Sequence, residues 1–143
     1  MLALAADREG ALREFTTALR LEPTHDSAQQ KLGLTLLELG RPADALPHLE
    51  SAVRRYPESA AAHYNLGNAL VQLNRIADAA VHYAEVVRLE RKHAVARYNY
   101  CNALAQLGRY AEALAQFDEA ARLDPKDESA RNNAARIREY LRR

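Results

Sequence analysis

The chain has 143 residues, 48% of them hydrophobic and 27% charged, with a formal net charge of +1 and one cysteine. That length can support one substantial core, and near-neutral charge excludes a global field steering the protein to nucleic acid or an anionic membrane. A lone cysteine excludes an internal disulfide and a cysteine-built metal site, and no apolar stretch approaches the ~20 residues that span a bilayer.

At the amino end, Met1–Ala6 lacks the basic n-region and full h-region of a signal peptide. The compartment is only weakly constrained, with the cytoplasm favoured for this segment. Asp7–Glu22 places Ala11, Phe15 and Ala18 at helical spacing and reads as a helix whose partner is missing or reduced to Met1–Ala5. The chain therefore opens in mid-repeat, and a longer parent protein is expected. From Asp26 onward a period of thirty-four residues sets in. Asp26–Ser59, Ala60–His93 and Ala94–Asp127 are three copies of one unit, with aligned columns Leu32/Leu66/Tyr100, Gly33/Gly67/Cys101, Ala45/Ala79/Ala113 and Leu49/Tyr83/Phe117. Self-similarity at this period marks stacked helical hairpins. The expected organisation is a partial repeat at 1–25, repeats at 26–59, 60–93 and 94–127, and a capping helix at 128–143.

The first unit predicts helices over about Ser27–Leu39 and Pro42–Arg55. Pro42 suits a first helical turn, where its missing N–H has no partner, whereas Pro47 removes an i→i−4 bond and predicts a local bend costing about 3 kcal/mol. The second unit predicts Ala60–Leu73 and Ile76–Glu90, the third Ala94–Leu107 and Tyr110–Leu123. Ala79, Tyr83, Val86 and Leu89 share one helical face, as do Ala113, Phe117, Ala120 and Leu123. Gly40, Asn74 and Gly108 fall where each first helix must end in the left-handed region, which Gly and Asn tolerate best. Pro23, Pro57 and Pro125 mark the handover between hairpins. Glu128–Arg143 restarts the first half of a unit, and its arginines suit a solvated outer face and a helix C-terminus.

These columns resemble the tetratricopeptide repeat, over roughly Asp7–Arg143. The family's large, large, Gly and large first-helix positions fall at His63, Leu66, Gly67 and Leu70, and at Arg97, Tyr100, Cys101 and Leu104. Its second-helix Ala, aromatic, Ala and Pro fall at Ala113, Phe117, Ala120 and Pro125. Val86, Arg91, His63 and Arg97 depart from the pattern, and looser local packing is expected there. The resemblance implies an all-α, right-handed superhelical solenoid of helix-turn-helix repeats whose first helices line a concave groove. It also implies a non-catalytic scaffold that binds a peptide segment or helix of a protein partner.

On the first helices, Ala61, Tyr64, Asn65, Asn68, Val71 and Gln72 form a second stripe away from the partner helix. Val95, Tyr98, Asn99, Asn102, Ala105 and Gln106 repeat it, and the last helix continues it with Ser129, Asn132, Asn133, Arg136, Glu139 and Tyr140. An Asn amide offers one acceptor and two donors, which suits a peptide backbone, and Tyr adds rigid contact area with a polar tip. The expected peptide-contacting set is Tyr64, Asn65, Asn68, Gln72, Tyr98, Asn99, Asn102 and Asn133. It looks like the asparagine array of the superhelical domain of O-linked N-acetylglucosamine transferases. The carboxylate clamp that holds acidic chaperone tails is poorly matched: Tyr64, Val95 and Ser129 stand where it needs basic residues. Against this peptide-contacting set stands a plainer reading, in which its asparagines serve helix packing or solubility. Two rival functions are self-assembly through the amino end, where Leu2, Leu4, Leu12, Phe15 and Leu19 leave apolar surface partly covered, and service as an accessory domain of a larger enzyme or membrane complex.

No chemistry-bearing motif competes with a binding role. The pairs His48/His82 and His25/His93 are spaced by the repeat register rather than by metal geometry, and no H-E-x-x-H, phosphate loop or nucleophile elbow occurs. Cys101 lies in the small-residue packing column and reads as a structural thiol. No cofactor, metal or catalytic residue is expected.

Overall fold

The computed structural model describes residues 2–23 and 25–143, with side chains from Asp7 onward except Asp26. Any part of Leu2 and Leu4 in an apolar amino-terminal surface therefore lies outside the described residues. The described residues form eight helices and no strand: α1 (Leu2–Leu21), α2 (Asp26–Glu38), α3 (Pro42–Arg55), α4 (Ala60–Gln72), α5 (Ile76–Leu89), α6 (Ala94–Gln106), α7 (Tyr110–Leu123) and α8 (Glu128–Leu141). They fall into two compact units, 1–74 and 75–143.

In the first unit α1 packs on α2, α2 on α3 and α3 on α4. The amino-terminal segment, expected as a helix over Asp7–Glu22 with its partner missing or reduced to Met1–Ala5, is one unbroken helix from Leu2 to Leu21. Its Leu12, Phe15 and Leu19 are half-buried, and the Lys31 ammonium sits 5.8 Å from the Phe15 ring centre. The helix α3 runs without interruption through Pro47. Its buried Ala45, Leu49 and Ala52 lie on one face, in a core that holds Leu32, Leu36 and Leu37 of α2. The two helices approach closely because Gly33 has no side chain: a Cβ there would stand 2.8 Å from Leu49 Cδ2. In the second unit α5, α6, α7 and α8 pack in succession. There Cys101, in the same column as Gly33, is fully buried in a cluster with Phe117, Ala130 and Ala134.

The helix ends follow from the repeating columns. Gly40, Asn74 and Gly108 adopt φ of 70°, 59° and 72°. At Gly40 and Gly108 the following arginine N–H reaches back to the helix, Arg41 to Leu36 O and Arg109 to Leu104 O, each at 2.9 Å. This is the six-to-one bond that closes a helix on a left-handed residue. The first helices of successive hairpins are capped by His25, Ser59, His93 and Asp127, whose side chains accept from Ala28, Ala62, Ala96 and Ala130 N–H at 3.0–3.2 Å. The register that relates His25 to His93 is thus a capping register.

The polar departures from the family pattern are tied in rather than loose. Gln29, His63 and Arg97 occupy one column, and each bonds a carbonyl in the turn before its own helix. Gln29 donates to Pro23 O at 3.3 Å, His63 Nε2 lies 2.8 Å from Pro57 O, and Arg97 donates to Arg91 O at 2.8 Å. Gln29 also meets His48 at 2.6 Å, and Arg97 donates to Gln116 Oε1 at 2.7 Å. Burial pulls the Arg97 and His48 pKa values down from their usual ranges.

Candidate partner-binding cleft

The first unit contributes one helix face. With Leu66, Gly67 and Leu70 buried, α4 leaves Tyr64, Asn65 and Asn68 half-buried and Gln72 exposed along a single stripe. The spacing of these four residues follows the helical turn, so the stripe is a consequence of burying the opposite face.

The second unit builds a cleft. Helices α6 and α8 both flank α7, and Phe117 of α7 lines two cavities. Tyr98, in the lining of the first, meets Phe117 edge-on with ring centres 5.9 Å apart and accepts a hydrogen bond from Asn133 Nδ2 at 3.4 Å. On one side of Phe117 lies a cavity of about 350 Å³ whose exposed surface is mostly apolar, from Ala94, Cys101, Ala120, Leu123 and Ala130, and whose lining also includes Arg91, Lys92, Arg97, Asp124 and Asp127. On the other lies a more polar cavity of about 540 Å³ that includes Asn102, Asn133, Tyr110, Arg136 and Tyr140. Of the residues expected from the sequence, Tyr98, Asn102 and Asn133 meet around this cleft. Asn99 is half-buried on α6, beside Tyr98 but outside both cavity linings.

Several lining residues were not singled out from the sequence. Phe117 was assigned to the core, where it also belongs, being 4% exposed. Tyr110 begins α7 and stacks at a tilt on Tyr140, with ring centres 4.7 Å apart. Only the packing of α8 on α7 could reveal that pair. Arg136 and Tyr140, by contrast, belong to the stripe expected on the last helix, in the columns of Asn68/Asn102 and Gln72/Gln106.

Charge is unevenly satisfied around the cleft. Arg143 pairs with Glu139 at 2.9 Å, and Arg138 pairs with Asp118. Arg136 forms no ion pair among the described residues. Elsewhere on α7, hydrogen bonds from Arg122 and then Arg91 hold the Glu119 carboxyl down at about 2. Burial pushes the Cys101 thiol up to about 12, against the opposing effect of Arg97, so the thiol is neutral and a poor nucleophile at physiological pH. Among the described residues no group of three His, Cys, Asp or Glu side chains gathers to hold a metal, and no helix is long and apolar enough to cross a membrane.

No curated protein sequence matches significantly. A crystal structure of MamA superposes with a TM-score of 0.86 at 24% identity, covering 95% of this chain and 80% of that one. A MamA fragment from Desulfovibrio magneticus RS-1 superposes with a TM-score of 0.79 at 24% identity, covering 89% of this chain and 72% of that one. These two show the fold. YrrB, described as a TPR protein with an unusual peptide-binding site, superposes with a TM-score of 0.85 at 28% identity, covering 99% of this chain and 73% of that one. The family pattern of the tetratricopeptide repeat itself matches residues 31–89 and 65–128, which is most of the sequence. The chain belongs to the tetratricopeptide repeat family, an all-α repeat fold whose members act as scaffolds for protein interaction.

Proposed function

We propose that this chain is a non-catalytic scaffold that holds a peptide segment of a partner protein along its first-helix faces. The observation that carries the reading is the cavity shared by Asn102 and Asn133, two asparagines from neighbouring columns on separate first helices. Their amides can donate and accept, so they fit a backbone with both groups unsatisfied. The 28% identity to YrrB along nearly the whole chain supports a peptide as the ligand class. Tyr64, Asn65, Asn68 and Gln72 of α4 would offer the same chemistry from the first unit. A peptide-array screen with this chain tests the reading. Asn102→Ala with Asn133→Ala, and separately Asn65→Ala with Asn99→Ala, should weaken capture. Helicity and melting should hardly move, since surface substitutions usually stay within about 0.5 kcal/mol. Largely unfolded double variants would show the asparagines to be structural and defeat the reading.

A further inference from the structure

We infer that the α6–α8 cleft selects an extended segment carrying a bulky apolar residue and, two or three positions away, an acidic residue. The inference rests on the peptide-binding reading above and specifies which peptide. The cavity with Cys101 and Phe117 in its wall, at about 350 Å³, is roomy enough for a leucine- or phenylalanine-sized side chain. Its apolar lining gains from such a side chain what any buried apolar surface gains.

The neighbouring cavity favours the opposite chemistry. Its lining carries Arg136, Arg143 and Glu139, and Glu139 is already engaged by Arg143. Arg136 is thus left as the cation that a carboxylate would meet, and its planar fork suits bidentate pairing. Asn102 and Asn133 flank the same space. Their amides gain most from an extended backbone, because a helix satisfies its own interior N–H and C=O groups.

The spacing follows from α6. The first cavity is bordered by the stretch from Ala94 to Cys101 and the second by Asn102 and Ala105. Their centres on the helix are therefore separated by about six residues, or ~9 Å at 1.5 Å per residue. An extended chain covers ~7–10 Å in two to three residues. Tyr98 lines the first cavity and its hydroxyl is held by Asn133 of the second, so it would sit under the intervening residue.

The test is an oriented peptide library with Leu and Glu fixed two or three positions apart and randomised flanks, probed with the whole chain. Peptides with the pair should be retained, and replacing Glu by Lys should weaken binding at least about tenfold, since apposed like charges are strongly disfavoured. Arg136→Glu should reverse that preference in favour of Lys. Ala94 is exposed at the start of α6, so Ala94→Trp should plug the apolar cavity and abolish the Leu preference while leaving the Glu preference. Circular dichroism on both variants should show unchanged helicity. Peptides that bind with no sensitivity to Arg136→Glu or Ala94→Trp, yet are lost in the asparagine variants, would overturn this inference and leave the peptide reading standing. A library from which nothing binds would overturn both.

Discussion

Arg97 is the sharpest place to test how this fold accommodates a buried charge. The side chain is 4% exposed at a position where the family places a bulky aromatic. Its guanidinium donates to Gln116 Oε1 at 2.7 Å and to Arg91 O at 2.8 Å. Hydrogen bonds from a charged donor contribute about 1.5–3 kcal/mol each. Part of that gain is offset by desolvation of the guanidinium, which is also what lowers its pKa. Arg97→Ala leaves two acceptors without their donor and opens a void beside Cys101, so a net loss of about 2–4 kcal/mol is expected. Arg97→Gln should lose less, because Gln29 reaches the equivalent turn carbonyl from the same column. Urea unfolding followed by circular dichroism gives the midpoints, and an unchanged slope identifies a change in stability rather than in the denatured state. A double-mutant cycle with Gln116→Ala should give a coupling of at least about 0.5 kcal/mol. An Arg97→Ala variant within about 0.5 kcal/mol of the parent, or strict additivity with Gln116→Ala, would refute the cross-tie.

Three further outcomes are expected. Gly33→Ala should destabilise by about 1–3 kcal/mol in the same urea assay, because the added Cβ meets Leu49 Cδ2 at 2.8 Å inside a packed core. His93→Ala should cost about 1 kcal/mol through loss of the α6 cap, and His93→Asp should not, since Asp127 caps α8 in the same column; equal losses in the two variants would argue against capping. Cys101 should react with a thiol reagent at pH 8 far more slowly in the folded protein than in urea. Its thiol titrates near 12 when folded and near 9.0 when exposed, so the unfolded state ionises first and stability should fall as pH rises above about 9. A rapidly labelled native thiol would show that the site is open.

The hairpin architecture was legible in the sequence because each unit must bury the same columns and end its first helix the same way. Gly40, Asn74 and Gly108 announced left-handed helix ends, and their φ values are those of that conformation. Apolar periodicity likewise placed α2 to α8 within a residue or two of their observed bounds. These features depend on contacts within a turn or between adjacent helices, which a fixed period records directly. The amino-terminal helix was less legible. Nothing upstream of Asp7 repeats, so register could not show that α1 runs unbroken from Leu2.

Tertiary structure decided what the column pattern could only describe as exceptions. Arg97 and His63 looked like lost packing until the turn carbonyls of Arg91 and Pro57 were found within hydrogen-bonding distance. Those acceptors belong to the backbone, so their direction cannot be read from residue types. The cleft is similar. Asn102 and Asn133 were visible as column members, but Tyr110 shares their cavity, with α8 packed on α7 and Tyr140 brought onto its ring. A sequence period fixes which residues face outward. Which outward residues share a cavity depends on how neighbouring helices pack, and that geometry is set by side-chain volumes summed over the whole contact.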